Sequence, residues 1–224
     1  VIEAVSRLAD DDTIVVTDVG QHQMWAAQFF KARRPRQFLT SGGLGTMGYG
    51  LPAAIGAKLA CPDRRVVLFT GDGSIMMNLQ ELQTIVTNGL PVCIFVINNG
   101  GYHQIRQTQN NVFHGNLVGV GPDSGDLGFP DFEKIATAFS IPYISARSNA
   151  ELPAVVEAAL RAESFVLCEV FVSTEQIFEP KSATKRLSDG QLFSPPLEDM
   201  APFLPREELA RNMYIPLVSE SDCT

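Results

Sequence analysis

A chain of 224 residues, 45% hydrophobic and 19% charged, is long enough to bury one sizeable α/β core. Its formal charge of −8 is spread along the chain with no block of lysine or arginine, which excludes the electrostatic footprint of a nucleic-acid or acidic-membrane binder. No window approaches the roughly 18 consecutive apolar residues of a membrane span, and Cys61, Cys93, Cys168 and Cys223 form no Cys-x-x-Cys pair, so a metal knuckle or disulfide framework is not expected and a reducing, cytoplasmic setting is the default.

The chain opens on "VIEAVSRLADDD", apolar at helical spacing and acidic at its end, which is no signal peptide and reads as a helix entered midway, as in a fragment of a longer polypeptide. "TIVVTDVG" (13–20) is a β-branched run ending in Asp-Val-Gly, and 22–32 has helical spacing. A small-residue helix over 50–60 and the strand and turn "RRVVLFTGDG" follow. The helix over 78–89 carries Leu79, Leu82, Ile85 and Val86 on one face and stops at Asn88-Gly89. "PVCIFVINNGG" is continuously apolar, as a strand covered on both faces would be. A helix over 129–141 with Pro130 near its first turn, the strand "YISA", a helix over 149–162 and the strand "FVLCEVFVS" (165–173) complete the pattern. Strand then helix, repeated about five times, predicts an α/β fold with a doubly wound, mostly parallel sheet and helices on both faces. From 174 to 224 the texture turns rich in proline and charge, predicting an extended tail on this or a neighbouring domain, with a short helix near 205–212.

In such sheets ligands bind beyond the carboxyl ends of the strands. Gly20-Gln21-His22, Gly71-Asp72-Gly73-Ser74 and Asn98-Asn99-Gly100-Gly101 each follow a predicted strand. Glycines at 71 and 73 permit a tight turn and close approach, and the following helix start suits a phosphate. Asp72 would repel that phosphate unless a cation lay between them. One turn, one helix and one return strand separate Asp72 from Asn99, so both end on adjacent strands at one edge. A carboxylate and an amide oxygen side by side are hard ligands suited to Mg²⁺ shared with phosphate oxygens. Alone, each motif is an ordinary turn or loop; together at this spacing they form a site.

Gly-Asp-Gly-Ser followed at this distance by Asn-Asn resembles the thiamine diphosphate motif. The stretch from "TDVGQHQMW" through "GGLGTMGYGLPAAIGAKLA" to "LFTGDGS" is similar to the cofactor-diphosphate domain of acetolactate (acetohydroxyacid) synthase large subunits, a likeness running from about Val1 to Val172. The resemblance implies a thiamine-diphosphate-binding fold over 1–173. It implies Mg²⁺ on the side chains of Asp72 and Asn99 and the carbonyl of Gly101. It also implies diphosphate contacts from Gly73, Ser74, Gln21 and His22, further cofactor contact at Gly20, Gly45, Gly71 and Tyr102, and Met47 supporting the bent cofactor. From the residues alone, Met47 reads equally as core packing, and His22 as a helix-start histidine meeting backbone or water. His103 and Arg106 either meet substrate or cap a helix, while Trp25, Phe29 and Phe30 read as packing and Glu81 as a solvated face.

Family members activate the cofactor with a glutamate from a separate pyrimidine-binding domain, normally of another subunit, so no catalytic acid is expected in this chain. Alone it should bind poorly and catalyse little. In the family FAD belongs to a middle domain that these residues do not supply, so the resemblance implies that this would be the C-terminal third of a three-domain chain. The implied reaction is carboligation: decarboxylation of a 2-oxo acid such as pyruvate and condensation with a second carbonyl, as in branched-chain amino acid biosynthesis. The alternatives are a 2-oxo acid decarboxylase, a C–C hydrolase, or a non-catalytic dimerisation or regulatory module. A homo-oligomer, dimer or tetramer, built through cofactor-site interfaces is implied as well. Typical acetolactate synthases read Gly-Met-Val then Gln-Trp after Asn-Asn. Here Tyr102–Gln109 is "YHQIRQTQ", with Thr108 near the place of that tryptophan, and the tail resembles acetolactate-synthase-like proteins of unsettled substrate, some linked to surface-polysaccharide pathways, so the resemblance implies the reaction type and leaves open whether the acceptor is pyruvate or 2-oxobutyrate.

Overall fold

The computed structural model describes residues 1–176, 179–186 and 190–215. Its first compact unit, Val1–Gln176, is built as the β-branched runs dictate. After α1 (Ile2–Leu8), β1 (Ile14–Thr17) is buried at every position, as are β3 (Val66–Gly71) and β4 (Val92–Asn98) apart from the terminal Asn98. β6 (Val166–Phe171) is buried except at Phe171. Runs with no polar face suit parallel strands covered on both sides. The remaining strands are β2 (Phe38–Thr40) and β5 (Tyr143–Ala146). All six are parallel, in the order β2-β1-β3-β4-β6-β5. The chain goes outward from β1 to β2, then returns to lay β3 on the other side of β1. That reversal makes a topological switch point between β1 and β3, where a crevice opens at the carboxyl edge.

The helices are α2 (Gln21–Phe29), α3 (Gly50–Ala60), α4 (Glu81–Asn88), α5 (His103–Val112), α6 (Phe132–Ala138) and α7 (Leu152–Arg161). Leu51 and Ala54 of α3 and Leu82 and Ile85 of α4 pack with Val16, Leu68, Ile94 and Leu167 in one core. Burying Leu82 and Ile85, both at 0% exposure, contributes about 1.5–3 kcal/mol each. α4 stops at Gly89 in the left-handed conformation, as its Asn-Gly ending predicts.

Several boundaries differ from the sequence reading. The helix expected over 22–32 ends at Phe29, because Phe30 is extended. The helix expected from 78 is preceded by a 3-10 turn, Ser74–Asn78, and begins at Glu81. Asp131 caps α6 by accepting the Lys134 N–H at 3.2 Å, which leaves Pro130 outside the helix.

The second unit comprises residues 177–224. Its described residues hold a short antiparallel pair, β7 (Lys185–Arg186) with β8 (Leu192–Phe193), and α8 (Arg206–Asn212), where a short helix is predicted. The Arg206 guanidinium donates to both oxygens of buried Asp199, at 2.7 and 2.9 Å. The expected domain boundary at 173/174 and the observed division after Gln176 differ by one loop. Cys223 and parts of the tail lie outside the described residues.

Candidate cofactor site

Four loops meet at the carboxyl edge around a cleft of about 280 Å³. The loop after β1 supplies Val19, Gly20, Gln21 and His22, and the loop after β2 supplies Gly45 and Met47. Gly71, Asp72, Gly73 and Ser74 come from the end of β3, and Asn99 with Gly101 to Ile105 from the end of β4. Every residue singled out for cofactor or metal contact in the sequence therefore lines one cavity.

Asp72 is 1% exposed. Its Oδ1 accepts the Gly73 N–H at 3.0 Å, while Oδ2 has no partner. Burial pushes its carboxyl up to about 7, against the N–H groups of Gly73, Gly101 and Gly100, which pull it down. Asn99 is equally enclosed, its Nδ2 donating to Gln21 Oε1 at 3.0 Å and its Oδ1 left unpaired. Gln21, anchored through Nε2 to the Gln176 carbonyl at 2.5 Å, thus sets which end of the Asn99 amide is free. Gln21, expected at the diphosphate, spends both ends of its amide on protein groups here. His22 is pushed by burial down to about 3, against the Asp18 backbone carbonyl, which pulls it up. That bond puts the neutral ring's proton on Nδ1, and Nε2 has no partner.

Buried polar atoms without partners cost roughly 1–3 kcal/mol each, so three on one cleft mark a place built for something absent from the chain. Two are oxygen ligands and fit a hard cation; the third, His22 Nε2, is an acceptor in the neutral ring and can donate to an anion only once it takes up a proton. Among the described residues no three His, Cys, Asp or Glu side chains cluster as a metal centre. One carboxylate, one amide and a carbonyl suit Mg²⁺, which keeps phosphate and water oxygens in its shell.

The glycines act here by close approach. Gly73 has an ordinary φ of −83°, so the turn does not demand it. A Cβ there would lie 2.4 Å from the Tyr102 ring, itself edge-on to Phe129. Gly101 has φ +137°, and a Cβ would meet the Val120 carbonyl oxygen at 2.0 Å.

Asp18, which the sequence reading left without a role, holds the Met47 loop: its Oδ1 accepts the Gly48 N–H at 2.8 Å, while the Gly48 carbonyl accepts Asn78 Nδ2 at 2.7 Å. Burial holds the Asp18 carboxyl above its ordinary range. Arg106 is a loop clamp; it donates to the carbonyls of Asn99 at 3.5 Å and Gly100 at 2.9 Å and to Asp123 at 2.9 Å, and it does not line the cleft. His103, Gln104 and Ile105 do line it. Thr108 is exposed on α5 and does not line the cleft.

Residues 18–170 match the family model described as thiamine pyrophosphate enzyme, C-terminal TPP binding domain. The chain is 43% identical over 179 residues to acetolactate synthase isozyme 1 large subunit of Escherichia coli, covering 80% of this chain and 31% of that protein. It is 39% identical to chloroplastic acetolactate synthase 2 of Zea mays (78% and 28% covered) and 38% identical to a probable acetolactate synthase large subunit of Methanococcus aeolicus (85% and 31%). The chain thus spans about a third of the length of these relatives. The parallel sheet, the cleft at its switch point and this match over 18–170 together establish that the chain belongs to the thiamine pyrophosphate enzymes, as their C-terminal TPP-binding domain.

Proposed function

We propose that this chain forms the diphosphate and Mg²⁺ half of the active centre of an acetolactate-synthase-like carboligase. The observation that carries the reading is the trio of buried, unpartnered atoms, Asp72 Oδ2, Asn99 Oδ1 and His22 Nε2, on residues of one cleft. Asp72, Asn99 and the Gly101 carbonyl would hold Mg²⁺; Gly73 and Ser74 would meet the diphosphate, as would His22 once Nε2 is protonated; Met47 and Tyr102 would support the cofactor. Thiamine diphosphate bound there would supply the electron sink that decarboxylation of a 2-oxo acid and condensation with a second carbonyl require. The chain's own residues bind, orient and keep water from that group, with Gln21 turning the Asn99 oxygen toward the cation and Asp18 seating the Met47 loop. The activating acid comes from a pyrimidine-binding domain of another subunit, so the enzyme works as a homo-oligomer.

Among the described residues no helix is long and apolar enough to cross a membrane. A reducing, cytoplasm-like compartment suits Cys61, Cys93 and Cys168, all free thiols.

Calorimetry on the full-length protein tests the reading. Thiamine diphosphate binds with Mg²⁺ and fails to bind in EDTA, and Asp72→Ala abolishes the Mg²⁺-dependent heat. Absence of binding by the unmodified protein refutes the cofactor site. A condensed 2-hydroxy-3-oxo acid formed from pyruvate supports carboligation, whereas free aldehyde alone favours a decarboxylase.

A further inference from the structure

Glu169 is a buried carboxylate, 3% exposed, on β6, a central strand of the sheet. Its neighbours across the sheet are Val96 and Ser145. Taking a carboxylate out of water there costs several kcal/mol unless its oxygens are matched. Both are: Oε1 accepts Asn98 Nδ2 at 2.6 Å, and Oε2 accepts the Tyr143 hydroxyl at 2.6 Å. Glu169 does not line the cleft, and its hydrogen bond toward the loop is the one to Asn98.

Asn98 is the last residue of β4, and its Oδ1 accepts the Gly100 N–H at 3.0 Å. Gly100 stands between Asn99 and Gly101, the two loop residues assigned to the cation. An amide side chain has nearly the same shape in either orientation, but its ends differ as donor and acceptor. An ionised carboxylate only accepts, so Glu169 admits the NH₂ end of Asn98 alone and leaves the oxygen for Gly100. With the amide reversed, two donors would face each other at Gly100.

We propose that Glu169, braced by Tyr143, is a positioning residue of the cofactor loop: it fixes the orientation of Asn98 and through it the backbone of Gly100, holding Asn99 and Gly101 where a cation can use them. The proposal rests on the cofactor reading above and adds to it a support reaching the loop from two strands away.

Three variants of the full-length protein test it. Glu169→Leu removes the acceptor while keeping an apolar filling. Glu169→Gln can still turn its oxygen to Asn98 and its NH₂ to the Tyr143 oxygen. Asn98→Ala cuts the connection. Glu169→Leu is expected to weaken Mg²⁺ binding in the presence of thiamine diphosphate by on the order of tenfold, the scale seen when supports of metal ligands are removed. In cofactor-free protein, hydrogen exchange should speed up in peptides spanning 98–101 while β4 and β6 stay protected. Glu169→Gln should restore most of both. In the Asn98→Ala background Glu169→Leu should add nothing to the affinity change. Unchanged affinity and exchange in Glu169→Leu overturn the proposal. So does an affinity loss that persists undiminished without Asn98, or faster exchange throughout β4 and β6. Failure of the unmodified protein to bind Mg²⁺ and cofactor overturns the site reading and this proposal together; normal binding with an indifferent Glu169→Leu overturns this proposal alone.

Discussion

Gly101→Ala separates two reasons for a glycine, and the structure sets the size of each. At φ +137° an alanine is strained, at about 1–3 kcal/mol. Its Cβ would also lie 2.0 Å from the Val120 oxygen, which accepts the Tyr102 N–H at 2.8 Å. Both partners are backbone, so relief requires the carbonyl to retreat by about 1 Å and release that bond, a further ~1 kcal/mol. The smaller entropy of the unfolded alanine chain offsets about 0.4–1 kcal/mol. The net loss is about 1–3.6 kcal/mol, or roughly 2–14 °C for a unit of this size. Gly89→Ala is the control: φ is +57°, but nothing lies within 4 Å of the added carbon, and the loss should stay near ~1 kcal/mol. Thermal unfolding of the cofactor-free variants measures both, and calorimetry should find Mg²⁺-dependent cofactor binding lost in Gly101→Ala and kept in Gly89→Ala. If the two variants melt together, the Val120 contact is not what demands glycine and the reasoning fails.

Two other perturbations follow from the polar supports of the cleft. Because burial raises the Asp18 carboxyl, the native state holds that proton more tightly than the unfolded chain, whose value is near ~4. The Asp18 contribution therefore falls as pH rises from that value through the higher native one. Asp18→Asn removes the dependence, so the stability of the unmodified protein relative to the variant should decline over that window in denaturant melts; a flat difference would contradict it. Arg106→Lys keeps the charge but loses the fork that spans the Asn99 and Gly100 carbonyls and Asp123, and should cost about 2–3 kcal/mol. Limited proteolysis should show the 113–126 loop cut sooner, and an unchanged urea midpoint would refute the clamp.

The sheet was legible because its central strands are unbroken apolar runs, and the site because polar residues interrupt such runs at their carboxyl ends. The 27-residue helix-and-return connection was enough to bring Asp72 and Asn99 to one cleft. β2 was not distinguished, since three half-buried residues carry no readable period, and α5 escaped because "HQIRQTQNNV" is polar and is settled by the contacts of its His103 and Arg106 ends. Pairings across the chain were beyond reach: nothing local says that Asp18 meets Gly48, or that Gln21 faces Asn99 rather than a phosphate. The tight turn expected to need Gly73 does not, its φ being ordinary; the constraint arises from Tyr102, a neighbour only in the folded chain.

The supports and the cleft residues stand in opposite energetic positions. Around the loop, Glu169, Arg106 and Asp18 are buried groups whose carboxylate oxygens and terminal guanidinium nitrogens meet donors and acceptors, and their removal should loosen the structure. In the cleft, Asp72, Asn99 and His22 are buried with atoms left unpaired, and each detracts from stability until something binds. A fold keeps such atoms only where the surrounding contacts hold them against collapse, which is what the sheet core and the loop clamps supply. Binding of a cation would satisfy the Asp72 and Asn99 oxygens, and a phosphate with a proton taken up at His22 Nε2 would satisfy the third atom, so the stability of this unit and its occupancy are thermodynamically linked.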